Sequence, residues 1–321
     1  MKRLLHQVKT YVFPPKSEAE LPEAPVLAPA DWQLAIDRLQ QWSTKYGHAP
    51  CLPGRCNVCG EASAFFCKDQ ALARESYTCG ACGTTSRYRA LAHGVLRWFA
   101  EELGVRAESL AGLREHKLPR PVRVYDAQLP FYYNTCSYPL PDLLAAVEGV
   151  QVQCSRFRGA DPLGAPIEGR EQVVNPAASN QNLERLTFAD SSFDLVITSD
   201  VMEHVRLDAL AHAEIRRVLA PGGAYLFTVP HSRAMAATTH RVVVRDPLDP
   251  SQDDFVMERE YHGDTNDPEN AALSFRVYGT DLDDTLRDLG LQVDYTFFPF
   301  GGVGVANGVV NTELFYCKLP A

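Results

Sequence analysis

The stretch FDLVITSDVMEHVRLDALAHAEIRRVLAPGGAYLFTVP, residues 193–230, decides the architecture of the chain. Phe193–Thr198 is a near-continuous apolar run, the pattern of a strand buried on both faces. Asp200-x-x-Glu203 has the spacing of an N-terminal capping box. A helix is predicted over Asp208–Leu219, stopping at Pro221-Gly222-Gly223, with Ala224–Val229 as the next strand. Strand, helix, strand is the repeating unit of a parallel sheet with helices on both faces.

Upstream the same alternation holds. Val122–Tyr125 and Val150–Cys154 read as strands, and Asp142–Val147 lies in a helix between them. Ala90–Leu103 places apolar residues at 91, 95, 96, 99 and 103, a helical stripe. Downstream the rhythm breaks. Thr280 begins a helix with Leu282, Leu286 and Leu289 on one face and Gly290 at its end. Gln292–Phe298 and Thr312–Lys318 then follow as strands with no helix between them, which predicts an antiparallel finish to the sheet.

Ahead of this region, Cys56-x-x-Cys59 and Cys79-x-x-Cys82 are separated by nineteen residues, and each pair reads C-x-x-C-G. Two such knuckles can set four thiolates tetrahedrally around one Zn²⁺. Disulfides or free thiols are the competing reading, and a cytoplasmic chain would not keep disulfides. Cys51 and Cys67 are spare thiols nearby and read as bystanders. About forty residues are too few for a self-sufficient core, so metal binding would supply the folding energy. Four closed ligands make the zinc structural. The expected division is a leading segment 1–48, a zinc ribbon 49–89, and an α/β domain 90–321 with an insertion at 231–279.

The chain has 321 residues, 45% hydrophobic and 22% charged, as for a globular protein with one large domain and a small module. No apolar run reaches the roughly 18 residues of a membrane span. The start, MKRLLHQVKTYVF, lacks a signal peptide's apolar core, so a cytoplasmic location is expected. Residues 1–16 carry four bases and no acid, and residues 17–31 four acids and no base among several Pro and Ala. The second segment reads as a flexible linker. Residues 1–13 could form a short amphipathic helix for peripheral membrane or partner contact, or a frayed terminus. A net charge of −9 argues against coating nucleic acid with the whole surface.

The block NLERLTFADSSFDLVITSDVMEHV…EIRRVLAPGGAYLFTVP, residues 182–230, resembles the class I S-adenosylmethionine-dependent methyltransferases, in particular the methyltransferase type 11 group. LTFADSSFDLV matches the segment before and within the family's fourth strand, MEHV the helix after it, and RRVLAPGG the turn into the fifth strand. The two-strand finish matches the family's reversed seventh strand. EYHGDTNDP followed by FRVYGTDLDDTLRDLG is similar to uncharacterised bacterial members that carry an insertion after the fifth strand. Less specifically, the resemblance covers residues 120–321. It implies a Rossmann-like α/β sheet, mostly parallel with an antiparallel last strand, beside the zinc ribbon.

It also implies a cofactor, S-adenosylmethionine, bound by Asp126, Ala127, Gln128, Ser155, Asn182, Leu183, Ser199 and His204. Asp126 matches the acid that ends the family's first strand, but Ala127-Gln128-Leu129-Pro130 stands where the family has glycines. A Cβ at each position should narrow the pocket. After the second strand the family's ribose-binding acid has no match, and Cys154-Ser155-Arg156 stands there. Asn182 matches an Asp that accepts from the adenine amine, and its side-chain oxygen can make the same bond.

Methyl transfer to oxygen or nitrogen relies on positioning and can call for a general base. Two candidates for the acceptor end are His262, in YHGD beside Asp264, and His231, directly after the fifth strand. The plainer reading of each is a hydrogen-bonded loop histidine. Glu203 and His204 read as packing beside the cofactor, and Phe131, Tyr132 and Tyr133 as core or a stacking surface. The expected acceptor is a small molecule or glycan-related metabolite. Two alternatives stay open: an RNA methyltransferase using Arg74, Arg87 and Arg89 near the ribbon, and a non-catalytic scaffold whose ribbon binds a protein partner.

Overall fold

The computed structural model describes residues 50–67, 73–132, 136–159, 161–167, 177–264, 267–298 and 312–321. The basic segment, the linker, the amphipathic stretch at 1–13 and Tyr133 lie outside the described residues. Among the described residues no helix is long and apolar enough to cross a membrane.

Three short strands, β1 (Pro50–Arg55), β2 (Ala62–Phe66) and β3 (Thr78–Cys79), form an antiparallel sheet in the order β1-β2-β3. The two cysteine pairs sit at its turns. Gly60 and Gly83 close the knuckles with φ of +78° and +76°, a conformation that costs a residue with a Cβ about 1–2 kcal/mol. Their amides return to the carbonyls of Cys56 and Cys79, each at 2.8 Å. The C-x-x-C-G spacing therefore has its expected local geometry.

Helix α1 (Ser86–Leu103) begins four residues earlier than the apolar stripe suggests, so it bridges the expected boundary at residue 89. β4 (Val122–Asp126), the small hairpin β5 (Phe131–Tyr132) and β6 (Ser137–Tyr138), α2 (Leu140–Ala145), β7 (Val150–Arg156), β8 (Ala177–Asn180) and β9 (Phe193–Ser199) follow. Next come α3 (Asp208–Val218) and β10 (Leu219–Thr228). The seven-stranded sheet has the order β17-β18-β10-β9-β4-β7-β8, where β17 is Gln292–Phe298 and β18 is Thr312–Lys318. β4, β7, β8, β9 and β10 run parallel, and β18 runs antiparallel to both neighbours. The predicted antiparallel finish is the strand placed between β10 and β17.

Alternation along each strand divides the core. Val124, Leu195, Ile197, Leu226 and Leu314 face α1, whose Leu91, Val95, Trp98 and Phe99 are fully buried against them. Tyr125, Val196, Tyr225, Phe227 and Phe315 face the opposite layer, where α3 and α4 (Asp281–Asp288) supply Ala211, Ile215, Leu282 and Leu286. Each large apolar side chain so buried contributes about 1.5–3 kcal/mol. β9 is buried along its whole length, as its apolar run predicts.

Cys56, Val58 and Phe65 of the ribbon belong to the same core as α1 and the sheet. Asn57 donates to the Arg89 carbonyl at 2.9 Å, and the Leu110 and Ala111 amides bond the carbonyls of Asn57 and Val58. The ribbon is thus built into the α/β body.

Two local expectations change. Helix α3 stops at Val218, and Leu219 already pairs with Phe193, so Pro221-Gly222-Gly223 is a bulge within β10. A Cβ on Gly223 would come within 2.9 Å of the Asp194 carbonyl oxygen, so the bulge needs glycine there. The capping box does not form. Asp200 has φ +49°, and the residues after it make only a short 3₁₀ turn, Met202–His204.

The insertion folds as three two-stranded ladders: β11 (Thr239–His240) with β16 (Arg276–Val277), β12 (Val242–Val243) with β13 (Asp254–Phe255), and β14 (Glu260–Asp264) with β15 (Asp267–Ser274). It packs onto the turn after β9. The Phe275 amide bonds the Glu203 carbonyl at 2.8 Å, and Arg276 donates to the carbonyls of Met202, Val205 and Arg206.

Candidate functional site at the carboxyl ends of the strands

β4, β9 and β10 end together, and open α/β sheets bind ligands at such ends. Asp200 follows β9 and is tied across to β10, its amide to the Thr228 carbonyl at 3.0 Å and its Oδ1 to the Thr228 hydroxyl at 2.9 Å. Two arginines reach it from the ribbon side. Arg74 donates to Asp200 Oδ1 at 2.7 Å, and Arg87 lies 3.2 Å from Oδ2 while donating to Ser199 Oγ at 3.0 Å. Burial raises the Asp200 carboxyl, but the two guanidiniums outweigh it and hold the group below the ordinary carboxylate range. This tertiary claim on the carboxylate is why it does not cap a helix.

Beyond Asp200, the 3₁₀ turn and the β14–β15 ladder bring three polar groups together. Glu203 is fully buried, and neither carboxylate oxygen has a hydrogen-bond partner in another of the described residues. Its Oε1 lies 3.7 Å from His204 Nε2 and 3.9 Å from His262 Nδ1. The outer nitrogens are held: His204 Nδ1 is 2.9 Å from the Leu273 carbonyl, and His262 Nε2 is 2.9 Å from Glu260 Oε1. The two imidazoles meet edge-on, 5.0 Å between centroids. Burial and the charge of Asp200 push the Glu203 carboxyl well above its ordinary range.

His262 is thus brought to the carboxyl end, with Glu203 and His204 as companions. The carboxylate that orients it is Glu260, two residues earlier on the same strand face; the Asp264 side chain lies outside the described residues. Sequence reasoning missed Glu260, and the Glu-x-His spacing on a strand was the available signal. His231 is elsewhere. Its ring packs against Tyr295 and Phe315 at 5.3 and 5.2 Å, and burial lowers its pKa to about 4, which makes it a weak proton acceptor at neutral pH.

The residues expected around a cofactor divide. Asp126 is fully buried at the end of β4, where its carboxyl accepts from the Tyr138 hydroxyl at 2.6 Å and from the Gln128 amide at 3.1 Å. Burial pushes it up to about 8, although both bonds favour the charged form. The Ala127 amide bonds the Ile197 carbonyl at 3.0 Å, and Gln128 Oε1 is a buried acceptor without a hydrogen-bond partner among the described residues. Ser155 Oγ meets Tyr125 Oη at 2.7 Å inside the sheet. Asn182 Oδ1 accepts from the Glu184 amide at 2.9 Å, an Asx turn, and Leu183 is buried in the core beside α3. Ser199 Oγ accepts from Arg87. Phe131 and Tyr138 pack with Tyr88, so the aromatic run serves the core at Phe131, while Tyr132 is exposed.

In the ribbon, the sulfurs of Cys56, Cys59, Cys79 and Cys82 all lie within 4.8 Å of one another. Cys56 Sγ and Cys82 Sγ are 3.8 Å apart. Zinc–sulfur bonds of about 2.3 Å give a tetrahedron with edges of about 3.8 Å, so the donor set fits this ion. Cys67 stands outside the group, and the Cys51 side chain lies outside the described residues.

Residues 148–227, from just before β7 to the end of β10, match the family model described as "Methyltransferase domain". Comparison with curated proteins finds no match. Among solved structures, the chain is similar to an S-adenosylmethionine-dependent methyltransferase from Mesorhizobium loti, at 16% identity and a TM-score of 0.37, over 62% of this chain and 90% of that one. It is also similar to the 1,6-didemethyltoxoflavin-N1-methyltransferase of Burkholderia thailandensis, solved with 1,6-didemethyltoxoflavin and S-adenosylhomocysteine. There the identity is 13% and the TM-score 0.39, over 97% of this chain and 100% of that one.

Proposed function

We propose that this chain, which carries a class I methyltransferase domain, is an S-adenosylmethionine-dependent methyltransferase acting on an oxygen or nitrogen of a small molecule or glycan-related metabolite. The observation that carries this reading is the methyltransferase-domain match over 148–227, laid on a sheet with a reversed strand between its last two neighbours.

The residues present offer the cofactor a place. Gln128 Oε1, a buried acceptor beside the end of β4 with no hydrogen-bond partner among the described residues, suits the amino group at the methionine end. Ala127 would lie beside it in the same turn, and Asn182 at the adenine end. When bound, S-adenosylmethionine supplies an activated methyl group on a sulfonium centre. The chain's part is then to hold the acceptor against that group, an effect worth up to roughly 7–11 kcal/mol. His262 and Glu203 stand where the acceptor would be received, and the insertion covers them from one side. The four thiolates would hold one zinc in a structural role, since four protein ligands complete its shell.

The net charge of −9 favours an acceptor other than nucleic acid. The ribbon arginines point the same way: Arg74 and Arg87 pair with Asp200, and Arg89 is buried on the carbonyls of Thr84 and Tyr77. The scaffold reading keeps one observation in its favour, the Asp126 carboxyl engaged by Tyr138. Thermal unfolding separates the two. A ligand that binds only the folded state raises the unfolding temperature by mass action, so S-adenosylhomocysteine should do so and adenosine triphosphate should not. An unfolding temperature indifferent to S-adenosylhomocysteine up to millimolar levels favours the scaffold.

A further inference from the structure

We propose that Glu203, His204 and His262 form a three-donor site for a divalent transition-metal cation, whose open positions take oxygen donors of the methyl acceptor. The second half rests on the methyltransferase reading; the binding of the metal does not.

A carbonyl oxygen only accepts, so the Leu273 contact makes His204 Nδ1 the donor and, in the neutral ring, leaves the lone pair on Nε2. The Glu260 carboxylate does the same for His262: Nε2 donates to it, and the lone pair stays on Nδ1. Those two nitrogens are the ones turned to Glu203, at 3.7 and 3.9 Å. Two lone pairs and a fully buried carboxylate therefore converge, and among the described residues none donates a hydrogen bond to that carboxylate. A carboxylate stripped of water without a partner is costly. A cation among the three donors removes that cost.

The spacing suits such an ion. All three donor atoms lie within 4.8 Å of one another, and two donors on one metal at bonds of about 2.0–2.2 Å stand about 3–4 Å apart. The outer contacts are those that fix tautomer and ring orientation in metal sites: one imidazole on a carboxylate, the other on a backbone carbonyl. One ladder supplies most of this, since β14 carries Glu260 and His262, and Leu273 lies on β15. Two imidazoles and one carboxylate select a first-row divalent ion over calcium or magnesium and leave positions open. The open side is the histidine side, where 33% of the His262 side chain and 18% of the His204 side chain are exposed, against 0% for Glu203. An acceptor with a hydroxyl beside a second oxygen could chelate there.

The test is a titration of the full-length, zinc-loaded protein with Co²⁺, followed by its visible absorption, without S-adenosylmethionine. One Co²⁺ per chain should bind in addition to the thiolate-held zinc, with a spectrum lacking sulfur-to-cobalt charge transfer. His262→Ala and Glu203→Gln should each weaken binding at least tenfold. Glu260→Gln, which removes only the orienting carboxylate, should weaken it by about 10–100-fold. Ribbon zinc content and a cooperative unfolding transition certify each variant as folded; if Glu203→Gln unfolds, the partly exposed His262→Ala decides alone. No Co²⁺ uptake by the wild type overturns the proposal and leaves protons as what the cluster shares. Uptake undiminished in folded His262→Ala overturns it as well. Because the cofactor is absent throughout, failure here is distinct from failure to bind S-adenosylhomocysteine.

Discussion

Asp126 and Gln128 stand at the end of β4 with opposite needs. The Asp126 carboxyl is fully buried and raised to about 8, against an ordinary value near 4. The folded protein therefore holds a proton that the unfolded chain releases between those values. Stability is greatest at the acid end of that window and falls as pH rises through it, by up to about 1.4 kcal/mol per pH unit. Asp126→Asn keeps an acceptor for Tyr138 and should flatten this fall; urea unfolding between pH 5 and 9 measures it, and an unchanged slope would assign it elsewhere. Gln128 has a buried acceptor left over. Gln128→Leu should leave the ligand-free protein as stable or stabilise it by about 1 kcal/mol, and should weaken S-adenosylhomocysteine binding by about 1–3 kcal/mol. Equal affinity in the variant would place the pocket elsewhere. Between the two histidines, His262→Ala should reduce methyl transfer strongly, because its ring meets Glu203 at the strand ends. His231→Ala should spare it, because that ring packs on Tyr295 and Phe315. The reverse ranking would mean that the acceptor sits over the β17–β18 edge. Asp126 and His262 were legible as site candidates from a strand end and a Y-H-G-D sequence, which the structure forms as part of β14. Glu203 was legible only as local packing, since its partners come from a ladder some sixty residues away in sequence.

Elements were legible where one local signal acted alone. β9 is apolar throughout because both faces are covered, and α3 and β10 follow from periodicity. β8, with the sequence AASN, carries no apolar signal and takes its place by pairing with β7. The Asp200 capping box failed because Arg74 and Arg87 compete for the same carboxylate across the molecule. The strands β11, β12, β13 and β16 of the insertion are two residues each, too short for any period to identify them. The ribbon is the element whose signal was strongest, and the zinc proposed for it can be tested directly. Purified protein should hold one zinc on the four cysteines, and Cys79→Ser with Cys82→Ser should lose it. Structural zinc contributes on the order of 10 kcal/mol to small modules. The ribbon also shares its core with α1 and carries Arg74 to Asp200, so the double variant should lower the unfolding temperature of the whole chain. Full zinc retention, or an unfolding temperature equal to wild type, would contradict this.

At the scale of the whole molecule, ribbon, sheet and insertion meet at one place. The ribbon side contributes Arg74 and Arg87, the sheet contributes Asp126, Ser199 and Asp200, and the insertion contributes His262 and Glu260. The sequence divides these into separate blocks because linear composition changes at their borders; the shared core and the Asp200 ion pairs are tertiary facts with no local signature. What the strand ends can still admit is the central question, since glycines are absent from the turn after β4 and Tyr138 engages Asp126. Isothermal titration calorimetry of the full-length protein with S-adenosylmethionine and S-adenosylhomocysteine addresses it most directly. Both ligands should bind saturably, with one site per chain. The absence of heat and of saturation for either ligand, in protein that carries its zinc and unfolds cooperatively, would contradict it.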